Sequence, residues 1–297
     1  MDLWINAAAC YPLPWDRESA AVPGAELLNK GAARRMTVQM RRAVCCALQA
    51  LADAGVAKPD GIHFGTGLGQ VEDTIGFLNE IEANAGGILS PTGFMRSTHN
   101  TVGGTIALLL GADGPNLTFS QGLSSFAWAL QSAALQAEEH SAANVLVGAA
   151  DEHAPLLDEL AQAAMLSAKP SEGTGFVVAS LTRSEKALAR VNGIWPAPRN
   201  AEGEWWKKGE FDGRTIDLVL FSSDPLSEEA PVLPVHRLAM DHRPFTGLHG
   251  SAPVQALCLA LHCLEHGRLP DGSPAEMNRV LIVDRHGLET SAVLVER

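Results

Sequence analysis

No cysteine lies between Cys46 and Cys258 in this chain of 297 residues. That gap removes thiolate chemistry from the middle of the sequence, and the five cysteines present form no metal-ligand spacing. Cys45 and Cys46 are adjacent, and Cys258 and Cys263 sit on a helix-like apolar stretch, so these four read as small buried hydrophobes. Cys10 precedes a loop, which predicts exposure, but no neighbour would activate it. Long apolar runs are missing too: none reaches the roughly eighteen residues of a membrane-spanning helix. Basic charge is scarce, with 22 Lys and Arg against 34 Asp and Glu and a net charge of −12. That balance argues against nucleic acid, because phosphate binding needs clustered cations. The opening Met-Asp-Leu-Trp-Ile-Asn lacks the basic n-region of a signal peptide, which predicts a cytoplasmic protein.

What is present is an ordinary globular composition, 46% hydrophobic and 19% charged, long enough for a large core or two fused layers. Residues 3–9 read as a strand. Met36, Met40, Val44, Leu48 and Leu51 recur at helical spacing, predicting a helix over 33–54 that stops at Gly55. A strand over 61–65, a helix over 71–83, an interrupted loop over 84–99 and a helix ending near Leu110 follow. Further on come strands over 117–120, 144–149 and 174–181, with helices over 124–140 and 155–166. From Thr182 the alternation repeats more briefly, with strands over 217–221, 279–283 and 291–295 and a helix over 251–266. Alternating strands and helices predict an α/β fold with a mainly parallel sheet covered on both faces. Residues 192–213, with Trp195, Pro196, Pro198, Trp205 and Trp206, read as an irregular excursion or a seam between halves. Arg34, Arg35, Arg41 and Arg42 form the basic cluster, read as a solvated helix face with a docking patch as the alternative.

Several motifs carry little chemistry alone. Gly65-Thr-Gly-Leu-Gly69 suggests a phosphate loop, but no Gly-Lys-Ser/Thr follows and the dinucleotide spacing fails. Asp151-Glu-His153 invites a metal reading, yet adjacent residues at a strand end rarely converge on one ion. Ser222 and Ser223 have no local Ser/His/Asp signature, so a serine hydrolase is set aside. His140, His153, His242 and His286 read as surface or loop histidines.

From Asn100 to Leu130 a helix, a Gly114-Pro115 turn, a strand and an abrupt second helix follow one another. This stretch resembles the nucleophile elbow of the β-ketoacyl synthases, the condensing enzymes of fatty-acid and polyketide synthesis. The glycine turn at 65–69, the segment 91–100, the acid-ended strand 145–152, Ser171-Glu-Gly-Thr-Gly175 and Gly287-Leu-Glu-Thr-Ser-Ala also resemble features of that family. The resemblance implies a thiolase-like five-layer α/β/α/β/α sandwich with a pared-down second half. Its N-terminal half would span 1–182, with a degenerate elbow at 114–130, and its shortened C-terminal half 183–297. Condensation in the family needs a thiolate, two histidines and a lysine. The cysteine position falls on Leu123, or on Gln121 with a two-residue shift. The first histidine position falls in Ser222-Ser223-Asp224. In the last motif Arg243 stands for lysine and Leu248 for histidine, with His249 one residue late. The resemblance thus implies an inactive site with no cofactor and no metal.

Among the synthases the chain is similar to chain-length factors, and to the shortened ketosynthase-like proteins of aryl polyene, xanthomonadin and flexirubin clusters. That implies a non-catalytic subunit paired with an active ketosynthase, meeting an acyl carrier protein only through that partner; the acidic charge disfavours direct docking. No nucleic acid or membrane partner is expected. By the resemblance, Gly93, Phe94, Met95, Thr98 and Asn100 would line the tunnel and interface, and Leu117 and Phe119 would lie on a buried strand pairing across the interface. The small Gly93 and Thr98 would leave a passage open for a long, straight chain. Two alternatives stand: a malonyl-carrier decarboxylase, which Gln121 keeps open although such domains keep both histidines, and an acyl-binding scaffold homodimer.

Overall fold

Strand and helix alternate as the periodicities predict, in two successive runs. The computed structural model describes residues 3–139, 144–166, 168–196, 214–223, 231, 233–286 and 289–297. The first run holds β1 (Leu3–Tyr11), α1 (Lys30–Ala33), α2 (Val38–Ala54), β2 (Gly61–Gly65), α3 (Val71–Ala83), α4 (Pro91–Arg96) and α5 (Thr101–Leu110). It continues with β3 (Asn116–Phe119), α6 (Ser125–Glu139), β4 (Val145–Asp151), α7 (Pro155–Ala163) and β5 (Gly173–Ser180). The second run holds β6 (Ala189–Trp195), β7 (Ile216–Ser222), β8 (His236–Asp241), α8 (Arg243–Thr246), α9 (Ala252–His266), β9 (Arg279–His286) and β10 (Glu289–Glu296).

All the strands join one sheet, in the order β3-β2-β4-β5-β1-β6-β10-β9-β7-β8. Outward from the middle, β1-β5-β4-β2-β3 on one side matches β6-β10-β9-β7-β8 on the other, so the second run repeats the first. Directions repeat too: β2 is parallel to β3 and β4, and β7 to β8 and β9. β5 and β10 return antiparallel to β4 and β9. The sheet is therefore mixed, not mainly parallel, because each run ends on a returning strand. The half-sheets join where Leu3, Trp4 and Ile5 pair with Val191, Arg190 and Ala189.

The inner strands are apolar on both faces because both faces are covered. On β4, Val145, Val147 and Ala149 enter one core while Leu146 and Ala150 enter another. On β9, Val280 and Ile282 face the first core, and Leu281 and Val283 a third. The first core holds α6 and α9 and draws strand residues from both half-sheets, making those helices the central layer. The second packs α2 and α5 on the outer face of the first half-sheet. The third covers the outer face of the other half-sheet, where no helix lies among the described residues.

The strand at 61–65 and the helix at 71–83 have the predicted limits. The helix predicted from residue 33 starts later, at Val38, because Thr37 Oγ1 caps it by accepting the Met40 N–H at 3.2 Å. The predicted loop 84–99 contains α4, opened by Ser90 as cap and Pro91 in its first turn. β6 takes residues 192–195 out of the predicted excursion; residues 197–213, including Pro198, Trp205 and Trp206, lie outside the described residues, as does His140. β8 went unread, since His236, Arg237 and Asp241 give it no apolar alternation. Cys10 is buried rather than exposed, and hydrogen bonding with Cys258 and then burial push its thiol well up.

Candidate functional site

β2 and β4 are neighbours, so the turn after β2 closes over Asp151 at the end of β4. The Asp151 carboxylate accepts Thr66 Oγ1 at 2.8 Å, the Gly67 N–H at 2.9 Å and the Leu68 N–H at 3.0 Å. The glycine turn thus cradles an internal anion where a phosphate loop would hold its ligand. Burial pushes the Asp151 carboxyl up to about 6 despite these bonds, and burial also pushes Glu152 up to about 7. Gly67 meets Gly250 across this turn: a Cβ on Gly250 would lie 2.6 Å from the Gly67 Cα, and one on Gly67 2.9 Å from the Gly250 Cα.

The elbow follows β3. Gly122 has a left-handed φ of 55° and turns the chain sharply into α6. Ser125 Oγ fixes the turn, accepting the Gln121 N–H at 2.7 Å and lying 2.9 Å from the Thr66 carbonyl. This leaves Gln121 exposed and Leu123 buried, 8% exposed. The second run makes a similar approach into α9 through Gly247, φ 91°, then Leu248, His249 and Gly250. The Leu248 N–H donates to Ser171 Oγ at 2.9 Å and its carbonyl accepts the Ser171 N–H. His249 Nε2 lies 2.9 Å from the Thr246 carbonyl and 3.1 Å from Gln255 Oε1, and Nδ1 lies 2.8 Å from Ser251 Oγ. Both ring nitrogens are engaged, and burial lowers the imidazole to about 4, so it is neutral at pH 7.

The two turns wall one cavity of about 320 Å³, whose lining includes Leu123, Asp151, Glu152, Leu248 and His249 with apolar residues of α7. Leu123 and Leu248, far apart in sequence, are brought together here. Gln121 and Ser222 do not line this cavity, and Arg243 faces an adjoining groove, its guanidinium held by Asp241 with Nη2 to Oδ2 at 2.7 Å.

Ser222 belongs to a cluster that sequence reasoning missed. Its Oγ donates to Asp284 Oδ1 at 2.9 Å, and the same oxygen lies 2.9 Å from His242 Nε2. His242 is fully buried, correcting its reading as a surface or loop histidine; its Nδ1 lies 2.9 Å from Thr246 Oγ1. Serine and histidine both address the aspartate, so this is a buried clamp between β7, α8 and β9 rather than a Ser-His-Asp relay. Its one sequence sign is polar residues ending apolar strands; Asp224 lies outside the described residues. Asp151, Glu152 and His153 diverge onto Thr66, the Glu72 N–H and Asp158. Among the described residues no group of three or more His, Cys, Asp or Glu could hold a metal, and no helix is long and apolar enough to cross a membrane.

The interface candidates lie elsewhere. Gly93 packs on α3, where a Cβ would lie 3.2 Å from Phe77 Cδ2, and Phe94 and Met95 are exposed. Thr98 Oγ1 lies 2.9 Å from Thr101 Oγ1 at the start of α5, whose cap residue Asn100 makes no side-chain cap bond. β3 is an edge strand, and Leu117 is 44% exposed with Phe119 half-buried, so the strand read as buried is open in the single chain.

The model of the β-ketoacyl synthase N-terminal domain family matches residues 4–187. The chain belongs to this family. No curated protein matches it. Solved structures of synthases do. A complex described as a type II polyketide synthase acyl-carrier protein with its ketosynthase bound to the hexaketide (AntDE:AntF) contains a chain that is 16% identical. The match covers 99% of this chain and 98% of that one with a TM-score of 0.72. The ishigamide ketosynthase/chain length factor is also 16% identical, over 100% and 99% of the chains, with a TM-score of 0.75. A β-ketoacyl synthase from Burkholderia phymatum is 13% identical over 100% and 99%, with a TM-score of 0.72. At such identities the likeness is one of fold, and the mixed sheet with its repeated order is the synthase-like architecture.

Proposed function

We propose that the chain is a non-catalytic, cytoplasmic ketosynthase-like subunit, a chain-length factor that pairs with an active ketosynthase to make a polyene pigment. Leu123 carries this reading. It stands in the sharp turn between β3 and α6, facing the cavity, where the family resemblance expects the acyl-bearing cysteine. A leucine forms no thioester, and His249 beside it is neutral with both nitrogens engaged. The exposed Gln121 weighs against a decarboxylase built on that residue.

The sheet edges support pairing. β8, at one edge, carries His236, Arg237 and Asp241, and such charges blunt an edge strand. β3, at the other, reads Asn-Leu-Thr-Phe without a charge, and Leu108 on the nearby α5 is 86% exposed. β3 is short, but with no charge on it and with Leu117 and Leu108 exposed there, this edge is open to a partner. The named partner is a catalytic ketosynthase, with the acyl carrier protein engaged through it.

Co-expression with a catalytic ketosynthase tests this. The two chains are expected to purify as one complex that condenses malonyl-carrier substrate, with acyl label on the partner alone. Acyl label on the wild-type chain at the elbow would overturn the non-catalytic reading, and failure to co-purify would overturn the pairing.

A further inference from the structure

Trp15, in the loop after β1, lies flat on His262 of α9, with ring centroids 4.2 Å apart and planes 6° from parallel. His266, one turn further along α9, stacks on the same imidazole at 4.2 Å and 24°. We propose that His262 and His266 form an exchangeable binding site for a divalent transition-metal ion, Cu(II) before others, with water completing the coordination.

Spacing comes first. Residues 262–266 read His-Cys-Leu-Glu-His, and residues four apart on a helix share a face. Two helical histidines at this spacing are a recurring pair of metal ligands. Rings 4.2 Å apart need only small side-chain rotations to set one nitrogen each at the roughly 2.0–2.1 Å of a metal–imidazole bond. Availability follows. No ring nitrogen of His262 has a hydrogen-bond partner among the described residues, and His266 Nδ1 has only Glu265 Oε2 at 3.8 Å. His262 is half-buried and His266 exposed, so solvent reaches the pair. Burial, and then His266, lower the His262 imidazole, which keeps it neutral at pH 7, the form that ligates. Cys263 between them takes no part, because it is buried and its thiol is pushed up to about 12. The charges nearby do not close the site. Glu265 adds a carboxylate beside His266, while Arg268 donates to the Gly272 carbonyl at 2.9 Å and Arg297 to the Leu264 carbonyl at 3.3 Å. Two protein ligands are fewer than a structural zinc site takes, so the ion exchanges with solvent. Two imidazoles with water suit the tetragonal geometry of Cu(II), which also stands above Ni(II) and Zn(II) in affinity for such ligands, whereas Mg(II) prefers oxygen.

This inference is independent of the partner subunit: α9 packs on β1, β5, β9 and β10, away from the β3 edge, and metal binding is read on the purified chain alone. The experiment is titration of the full chain with Cu(II), Ni(II), Zn(II) and Mg(II) chlorides in a non-coordinating buffer near neutral pH, followed by calorimetry and tryptophan fluorescence. Cu(II) is expected to bind one to one and most tightly, and Mg(II) not to bind. Acidifying to about pH 5 is expected to weaken Cu(II) at least about tenfold, because protons compete for the imidazoles. His262→Gln and His266→Gln are each expected to weaken it at least about tenfold, since one imidazole makes no chelate. Trp15→Phe is expected to keep the affinity and lose much of the quenching, because the indole stacked on a ligand is the reporter. The proposal is overturned if Cu(II) shows no saturable binding, if Mg(II) binds as tightly, or if both glutamine variants bind Cu(II) like the wild type. Quenching unchanged in Trp15→Phe would place the ion away from this stack and overturn it as well. Should His262→Gln fail to fold, His266→Gln alters an exposed side chain and still decides the matter.

Discussion

Replacing Asp151 with asparagine should flatten a fall in stability that the wild-type chain shows between about pH 4 and pH 6. The unfolded carboxyl loses its proton near its ordinary 3.8, whereas the folded one keeps it to about 6. Between those values the fold binds more protons than the unfolded chain, so stability declines as pH rises. The contribution is fully present below pH 3.8 and is lost once the pH has passed about 6. At about 1.36 kcal/mol per pKa unit, its loss amounts to roughly 3 kcal/mol. Glu152, raised from 4.5 to about 7, adds a decline of the same sign that extends to about pH 7. His249 opposes both. Lowered from 6.5 to about 4, it is neutral in the fold and protonated in the unfolded chain, so it adds stability as pH rises through that interval. Asp73, also raised by burial, declines with the first two, and His63 and His262, also lowered by burial, rise with His249, so the Asp151 component is read as the difference between the wild type and the Asp151→Asn chain.

The Asp151→Asn chain keeps a carbonyl oxygen to accept from Thr66, Gly67 and Leu68, so it should fold and lose the Asp151 component alone. At pH 8 it should equal or exceed the wild type, and below pH 4 it should lose that advantage. Asp151→Ala instead strands three donors, at about 1–3 kcal/mol each, and should be less stable at every pH. Urea titrations followed by tryptophan fluorescence at several pH values measure all three chains. If the Asp151→Asn chain showed the wild-type difference between pH 4.5 and pH 8 to within about 0.5 kcal/mol, the pH dependence would not reside in this carboxylate.

Leu123→Cys should leave the isolated chain inactive in condensation, because Ser222 and Leu248 supply no histidine and His249 is engaged; product formation above wild type in a radiolabelled malonyl assay would contradict this. Leu117→Asp or Phe119→Asp, each placing a charge on the open edge of β3, should prevent co-purification with a ketosynthase while far-UV circular dichroism stays unchanged. Thr98→Phe should shorten the product of the assembled complex, read by mass spectrometry; Gly93→Phe is the poorer probe, since its side chain would collide with Phe77 on α3. Gly250→Val should lower the thermal midpoint, because even a Cβ there would stand 2.6 Å from the Gly67 Cα; an unchanged midpoint would show that the two turns separate freely.

Local features were legible in the sequence and distant ones were not. The helix at 71–83 and the strand at 61–65 declare themselves through periodicity and breakers, which need only neighbouring residues. The elbow was legible for the same reason, since strand, glycine turn and helix are consecutive. The direction of β5 and β10 was hidden, because nothing in a buried apolar strand says which way its neighbour runs. β8 was hidden because an edge strand with His236, Arg237 and Asp241 is held by pairing to β7 rather than by its own pattern. The Ser222–Asp284–His242 clamp joins residues from three separate elements, and no local motif marks it. Asp151 was read as a strand-ending acid, but its role as the anion inside the glycine turn exists only once β2 and β4 are side by side.

The repeated topology bears on which positions of a synthase fold answer to geometry and which to chemistry. Each run sends its edge strand, β3 or β8, through a turn into a central helix, α6 or α9. Both turns carry a glycine at positive φ, Gly122 and Gly247, and each presents a leucine to the shared cavity. The glycines answer to the backbone: a side chain at either position is strained whatever the space around it. Gly67 and Gly250 answer to the contact between the halves, where no Cβ fits. Leu123 and Leu248 line the cavity, and neither position has the positive φ or the Cα–Cα approach that demands a glycine. Positions set by geometry and positions set by chemistry are therefore separable in this fold. A chain that meets the first set folds as a ketosynthase does, and the residues in the second set decide whether the cavity performs a reaction or only holds an apolar chain.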